Sequence, residues 1–279
     1  MRIKIRHEIL QSFTPPAKGV IEVLRLSPRG YEGQHVLDWR IDVEADCRLR
    51  RSEDAFGNLA DTFSLQAPTQ TLRILAEGSV ETFDCAGVVR AAAERFPHEL
   101  FLRDTELTAP DAGLRALAAQ SSGADMIARL HALMRRVRDH MKDESEGEGE
   151  EKEKESDEGG RSAGRALARG RGGPCDLAHV FVAAARCLGA PARFVSGYVL
   201  REGAQTGALH AWAEAHVAGV GWIGFDCAQV ICPTERHVRV ACGLDRLDAA
   251  PVRASSRSAI AQEARVELRP AGALRQSQQ

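Results

Sequence analysis

No apolar run in this chain approaches the roughly 20 residues needed to cross a bilayer. The opening segment, Met1-Arg-Ile-Lys-Ile-Arg-His, has no apolar signal core, so the expectation is a cytoplasmic protein whose thiols are reduced. Charge of one sign is missing too. The formal net charge of −2 gives no attraction to nucleic acid or to an anionic membrane. The seven cysteines are odd in number and irregular in spacing. Cys227, Cys232 and Cys242 form no CxxC pair, which argues against a structural zinc site. What remains is an ordinary globular composition, 44% hydrophobic and 27% charged over 279 residues. That is enough for one large domain or two modest ones.

Residues 1–95 read as an antiparallel β-domain. Ile3-Lys-Ile-Arg-His and Val36-Leu-Asp-Trp-Arg-Ile-Asp-Val alternate apolar and polar side chains, and Leu72 to Thr82 supplies a further strand. Asp54-Ala-Phe-Gly-Asn is turn chemistry between two such runs. A helical region spans 109–141. Pro110 and Asp111 start it, and Leu114, Leu117 and Ala118 mark an apolar face. Met126, Leu130, Leu133, Met134 and Val137 mark a second face at spacings of three and four. From Asp143 to Glu158 there are ten acidic residues, two lysines and no apolar residue, so 142–161 is expected to be a disordered, solvated insertion. Residues 162–250 form the core. Within it a helix follows Pro174 along Leu177, Val180, Phe181, Ala184 and Leu188, and strands cover 193–200, 209–217 and 221–227. Residues 251–279 are a C-terminal strand and tail.

The chemistry concentrates between Gly170 and Asp226. Two strands flank Ala218-Gly219-Val220-Gly221, and a turn near 218–219 brings residue 226 or 227 opposite His210. An aspartate beside a histidine fixes its tautomer and stabilises its charged form. Cys175 follows Pro174 at a helix start, where unpaired N–H groups favour a thiolate and can hold an oxyanion. Cys47, Cys85 and Cys187 lack that setting and read as small packing residues. His179, four residues after Cys175, reads as a buried structural histidine, and Asp176 as a cap at the helix start. Trp212 and Trp222 are candidates to wall a substrate groove near His210, with core packing the competing account.

These motifs resemble the transglutaminase-like superfamily, in particular its bacterial members with an N-terminal β-domain. The carrying residues are Gly172 to His179, Gly189-Ala-Pro-Ala-Arg-Phe-Val-Ser-Gly-Tyr198, His210-Ala-Trp-Ala-Glu214 and Gly221-Trp-Ile-Gly-Phe-Asp226. Leu24-Arg-Leu-Ser-Pro-Arg, Gly33-Gln-His-Val, Val238-Arg-Val-Ala-Cys-Gly-Leu-Asp and Ala250-Pro-Val-Arg extend the likeness over nearly the whole chain. The resemblance implies an α+β architecture, a papain-like cysteine-protease core preceded by the β-domain. It also implies a Cys-His-Asp triad, here Cys175, His210 and Asp226. That triad would carry acyl transfer or hydrolysis on a peptide or glutamine amide of a protein or peptide substrate, with no cofactor and no metal. No calcium-loop motif is present.

The family pattern G-x-C-x-D-x-A-H, laid without a gap on Gly172 to His179, puts Pro174 at the nucleophile and Cys175 one residue later. Sliding the glycine loop instead puts Cys175 at the nucleophile and deletes one residue after it. One residue along a helix turns a side chain by about 100°. The two registers therefore separate a thiol enzyme from its alternative, a catalytically inactive peptide-binding or scaffold protein.

Overall fold

The computed structural model describes residues 1–143, 162–201, 206–207, 209–255 and 259–271. The acidic insertion expected over 142–161 thus lies outside the described residues, apart from Lys142 and Asp143.

Six strands open the chain: β1 (Arg2–Ala17), β2 (Val20–Ser27), β3 (Gln34–Val43), β4 (Arg50–Glu53), β5 (Leu59–Leu65) and β6 (Thr69–Thr82). A two-residue strand β7 (Val88–Val89) and a 3₁₀ turn (His98–Leu102) lead into α1 (Ala112–Ala119) and α2 (Met126–His140). Then come β8 (Lys142–Asp143), α3 (Ala163–Arg169), β9 (Arg171–Gly172) and α4 (Pro174–Cys187). The chain closes with β10 (Ala192–Val199), β11 (Thr206–Gly207), β12 (Leu209–Val217), β13 (Gly221–Phe225), β14 (His237–Gly243), β15 (Val252–Ser255) and β16 (Ala259–Pro270).

Two sheets, in orders β11-β16-β1-β6-β3 and β15-β2-β5-β4, form the N-terminal β-layer. The period-2 pattern of β1 buries Ile3, Ile5, His7, Ile9, Gln11 and Phe13 on one face. Ile9 and Phe13 pack against Val20, Leu24 and Phe63 of the facing sheet. Ile3 and Ile5 instead pack against Phe194, Tyr198 and Val238. One strand thus serves two cores and ties the β-layer to the rest. Residues 251–270 belong to the same layer, because β15 pairs with β2 and β16 with β1 over twelve residues.

The third sheet runs β14-β10-β12-β13-β7. Its β7 edge comes from within residues 1–95, so the β-domain segment also contributes to the core sheet. Helix α4 is buried continuously from Leu177 to Arg186, as expected of a central helix. It lies on the sheet face carrying Ala213 and Ala215, with α1, α2 and α3 around it. Asp111 and Asp125 accept N–H bonds from Leu114 and Ala128 at 2.8 Å each and so cap α1 and α2. The buried guanidinium of Arg186 donates to the carbonyls of Phe101, Ala192 and Leu244, which fastens the end of α4 to three separate segments.

The alternation of β2 turns Glu22 into the sandwich, fully buried between Val20 and Leu24. Neither carboxyl oxygen has a hydrogen-bond partner of good geometry among the described residues, and the nearby Gln11 amide only partly offsets the burial. Burial raises its pKa from 4.5 to about 7. Below pH 4.5 the group is neutral in both folded and unfolded chains. Between 4.5 and about 7 only the unfolded chain loses the proton, so stability falls as pH rises, and the full cost persists above 7. Replacing Glu22→Gln should therefore leave urea-unfolding stability unchanged at pH 4 and raise it by about 3 kcal/mol at pH 8. Equal effects at both pH values would refute the buried-proton account.

Candidate functional site

The first turn of α4 is regular. Asp176 and Leu177 both donate their N–H groups to the carbonyl of Gly173, at 2.9 and 3.1 Å. Pro174 occupies the first helical position, where a missing N–H costs nothing. The carboxylate of Asp176 reaches back to accept the Gly173 N–H at 3.1 Å, the capping role expected for it. A Cβ on Gly172 would lie 2.6 Å from that carboxylate, so the close approach requires glycine.

In this turn Cys175 is exposed. The protein crowding its thiol nevertheless pushes the pKa up to about 11, with Asp176 adding to the shift and Arg246 opposing it. The charged groups that act on Cys175 are thus Arg246 and Asp176, not an imidazole. No hydrogen bond reaches its sulfur among the described residues. His179, one turn later, is buried, as expected, and accepts the Arg246 N–H on Nε2 at 3.0 Å. Cys175 and His179 therefore share the helix face that meets the 245–248 turn.

Pro174 lies on another stripe, with Ala178 and Phe181. Ala178 belongs to the packing group of Ala211. Phe181 stacks on Phe225 with ring centroids 5.0 Å apart, and Phe225 is the cross-strand partner of Ala213. Seven residues of helix span about 10 Å. Three residues of strand span about the same. Stepping back from Phe181 to Pro174 thus brings the helix start to about the level of His210 along β12, with α4 on the face of Ala211 and Ala213 and His210 on the other.

His210 and Asp226 come together as hydrogen-bonding partners. The hairpin pairs Ala213 with Phe225 and Val217 with Gly221, so its turn is centred on Gly219, about half a residue beyond the expected centre. Asp226 is consequently diagonal to His210 on one sheet face rather than directly opposite. His210 Nε2–H donates to Asp226 Oδ2 at 2.6 Å, with both side chains buried. Asp226 Oδ1 accepts the backbone N–H groups of Ala228 and Gln229 at 2.9 and 3.2 Å.

A second histidine, His237 at the start of β14, also bonds Asp226 Oδ2, at 3.1 Å through Nε2. Although burial works against it, these imidazole bonds hold the Asp226 carboxyl well below the usual carboxylate range. The sequence reading missed His237. Its only signal was adjacency to the Val238-Arg-Val-Ala motif.

The ligand atoms of His210, Asp226 and His237 lie within 4.8 Å of one another, close enough to ask whether they hold a metal. Proton directions answer against it. Thr234 donates its backbone N–H to His237 Nδ1 at 3.1 Å. Nδ1 must then be the unprotonated nitrogen and Nε2 must carry the hydrogen, the reverse of what ligation through Nε2 needs.

Trp212 and Trp222 are each 2% exposed, and Trp212 lines a small pocket with Tyr31, Pro233, Thr234 and His237. Trp222 is sandwiched, with the Arg193 guanidinium 3.8 Å from its ring centre and Phe101 edge-on at 5.1 Å. Trp212 meets His237 edge-on at 5.5 Å and packs beneath the imidazoles. Glu214, next along the same face of β12, is fully buried between Arg193 and Arg239, at 2.6 and 2.8 Å.

A central helix whose start abuts a sheet bearing a His-Asp pair defines a papain-like thiol-enzyme architecture of the transglutaminase type. Residues 115–227 match the family model of the transglutaminase-like superfamily, and residues 3–81 match the bacterial transglutaminase-like N-terminal region. This chain belongs to the transglutaminase-like superfamily. An uncharacterized protein of Mycobacterium leprae is 26% identical over 90% of this chain and 92% of its own length. The crystal structure of a candidate cysteine protease from Cytophaga hutchinsonii superimposes with a TM-score of 0.76 at 21% identity, over 98% of this chain and 91% of that one. The periplasmic domain of TgpA from Pseudomonas aeruginosa is more distant, with a TM-score of 0.38 at 14% identity over 80% of this chain and 87% of that one.

Removing one partner from a buried ionic cluster strands the others. Glu214→Gln should lower urea-unfolding stability by about 3 kcal/mol. Glu94→Gln, whose exposed carboxylate lies 3.8 Å from Arg193, should cost about 0.5 kcal/mol or less. Comparable losses from both would overturn the assignment.

Proposed function

We propose that this chain is a catalytically silent transglutaminase-like protein, a polypeptide-binding or scaffold module rather than a thiol acyltransferase. One observation carries the reading: the only thiol at the start of α4 stands among Asp176 and Arg246 with its pKa raised, on a different helix stripe from Pro174. A nucleophilic cysteine needs the opposite, a lowered pKa beside an imidazole. The regular first turn and the Gly172–Asp176 contact support the gapless register, in which Pro174 stands where the family carries its nucleophile.

Pairing of β12 with β13 ends at Ala213 and Phe225, so no paired β13 residue stands beside His210. Catalysis through Cys175 would require the first turn to unwind and give up the Asp176 cap. The proposed ligand is an extended polypeptide, the class on which the fold's thiol enzymes act. Seven free cysteines fit a reducing compartment, and we place the protein in the cytoplasm on that ground.

Iodoacetamide labelling at pH 7 tests this. Cys175 should react no faster than an ordinary free thiol, and His210→Ala should not change its rate. Pro174→Cys should add a thiol that reacts about tenfold faster or more, with the gain abolished by a further His210→Ala. Selective, His210-dependent labelling of Cys175 in the unsubstituted chain would sink the proposal.

A further inference from the structure

We propose that His237 is a positioning residue: it holds the Asp226 carboxylate in the one orientation that fixes His210 with Nε2 protonated and Nδ1 available to a group at the start of α4. The geometry of Asp226 stands alone. Only the kinetic readout below rests on the reading of Pro174.

The argument is one of proton directions. A carboxylate offers about four lone-pair sites. On Asp226 four donors fill them: His210 Nε2–H and His237 Nε2–H on Oδ2, Ala228 N–H and Gln229 N–H on Oδ1. Three of these donors are themselves held. The two N–H groups belong to the turn closed by the Asp226–Ile231 bridge. His237 is held at both ends, because its Nδ1 accepts the Thr234 N–H while its own backbone N–H donates to the Thr234 carbonyl at 3.0 Å. His237 therefore cannot offer Asp226 a lone pair without losing Thr234, and it acts as a fixed neutral donor.

Of the two imidazoles on Asp226, only His210 is left with a ring nitrogen, Nδ1, that makes no hydrogen bond among the described residues. Without His237, Oδ2 would keep a single donor, and the orientation of the carboxylate would rest on the two N–H groups at Oδ1 and on His210 itself. The His210 ring would then lose its fixed direction, since its Nε2 bond to Asp226 is its only side-chain hydrogen bond among the described residues.

The test uses the full chain carrying Pro174→Cys and follows iodoacetamide alkylation of the new thiol from pH 5 to 9. With His237 present the profile should be acid-shifted, reporting a thiolate paired with His210. His237→Phe keeps the ring shape but donates nothing. It should slow alkylation at pH 6 about tenfold and move the profile up by about one pH unit. His237→Gln, whose amide N–H can reach Oδ2, should restore the rate to within about threefold. A merely structural His237 would give Phe and Gln variants that behave alike, and that result overturns the proposal. So does a folded Phe variant with an unshifted profile.

If the Pro174→Cys thiol is inert even with His237 present, the reading of Pro174 has failed. His237 is then judged in the unsubstituted chain by proton NMR. Protected imidazole N–H resonances of His210 and His237 should appear beside those of the other buried histidines, His7 and His179, and His237→Phe should remove its own and broaden or shift that of His210. A His210 resonance untouched by that substitution overturns the positioning role.

Discussion

The reach of Asp176 back to the Gly173 N–H is the constraint on which the rest of the site depends. It closes the first turn of α4, and a closed turn leaves no freedom in where the next side chains point. With the turn intact, Pro174 continues the stripe of Ala178 and Phe181, while Cys175 shares its face with His179 and the Arg246 backbone. Gly172 admits the carboxylate, and its pairing with Asp143 through β8 and β9 holds the approaching loop. Sliding the loop by one residue to deliver Cys175 would break the cap and that pairing together. Two small contacts thus cooperate to fix the register of the helix start.

The opposite face of β12 follows a different economy. His210, Trp212 and Glu214 alternate along it, and β14 sends His237 and Arg239 to meet them from two strands away. Each buried carboxylate is saturated, but in different currencies. Asp226 is held by hydrogen bonds from imidazoles and backbone, with His237 neutral, whereas Glu214 is held between two guanidiniums that exceed its charge. A satisfied buried network is stable, and a half-satisfied one is not. That asymmetry gives a physical reason for the His-Asp-His cluster to persist independently of which residue stands at the helix start.

Much of this was legible before the structure. The period of two in β1 and the spacings of three and four in α1 and α2 gave their buried faces correctly, because those faces meet a continuous core. The His210–Asp226 contact was legible because a short turn leaves few ways to close the hairpin. His237 was not, because β14 does not adjoin β12. Strand β10 lies between them, and Gly197 is its residue opposite both His210 and Arg239. A Cβ there would fall 2.2 Å from the Val238 carbonyl and 2.7 Å from the Trp212 ring. A glycine at that point removes the side chain that would otherwise separate the two histidine-bearing strands. Sequence period carries no sign of such a gap.

Pro174 adds a last asymmetry. A proline at the first helical position is favourable, because its fixed φ matches the helix and its missing N–H is one the helix does not use. A cysteine there would instead carry a thiol toward an imidazole already oriented for it. Stability and chemistry thus pull the same residue in opposite directions, while the surrounding contacts are indifferent to the choice: the Asp176 cap uses the backbone of Gly173, and the Asp226 cluster bonds neither residue 174 nor 175. The helix start can therefore carry either proline or cysteine at position 174 without disturbing the His210–Asp226 pair.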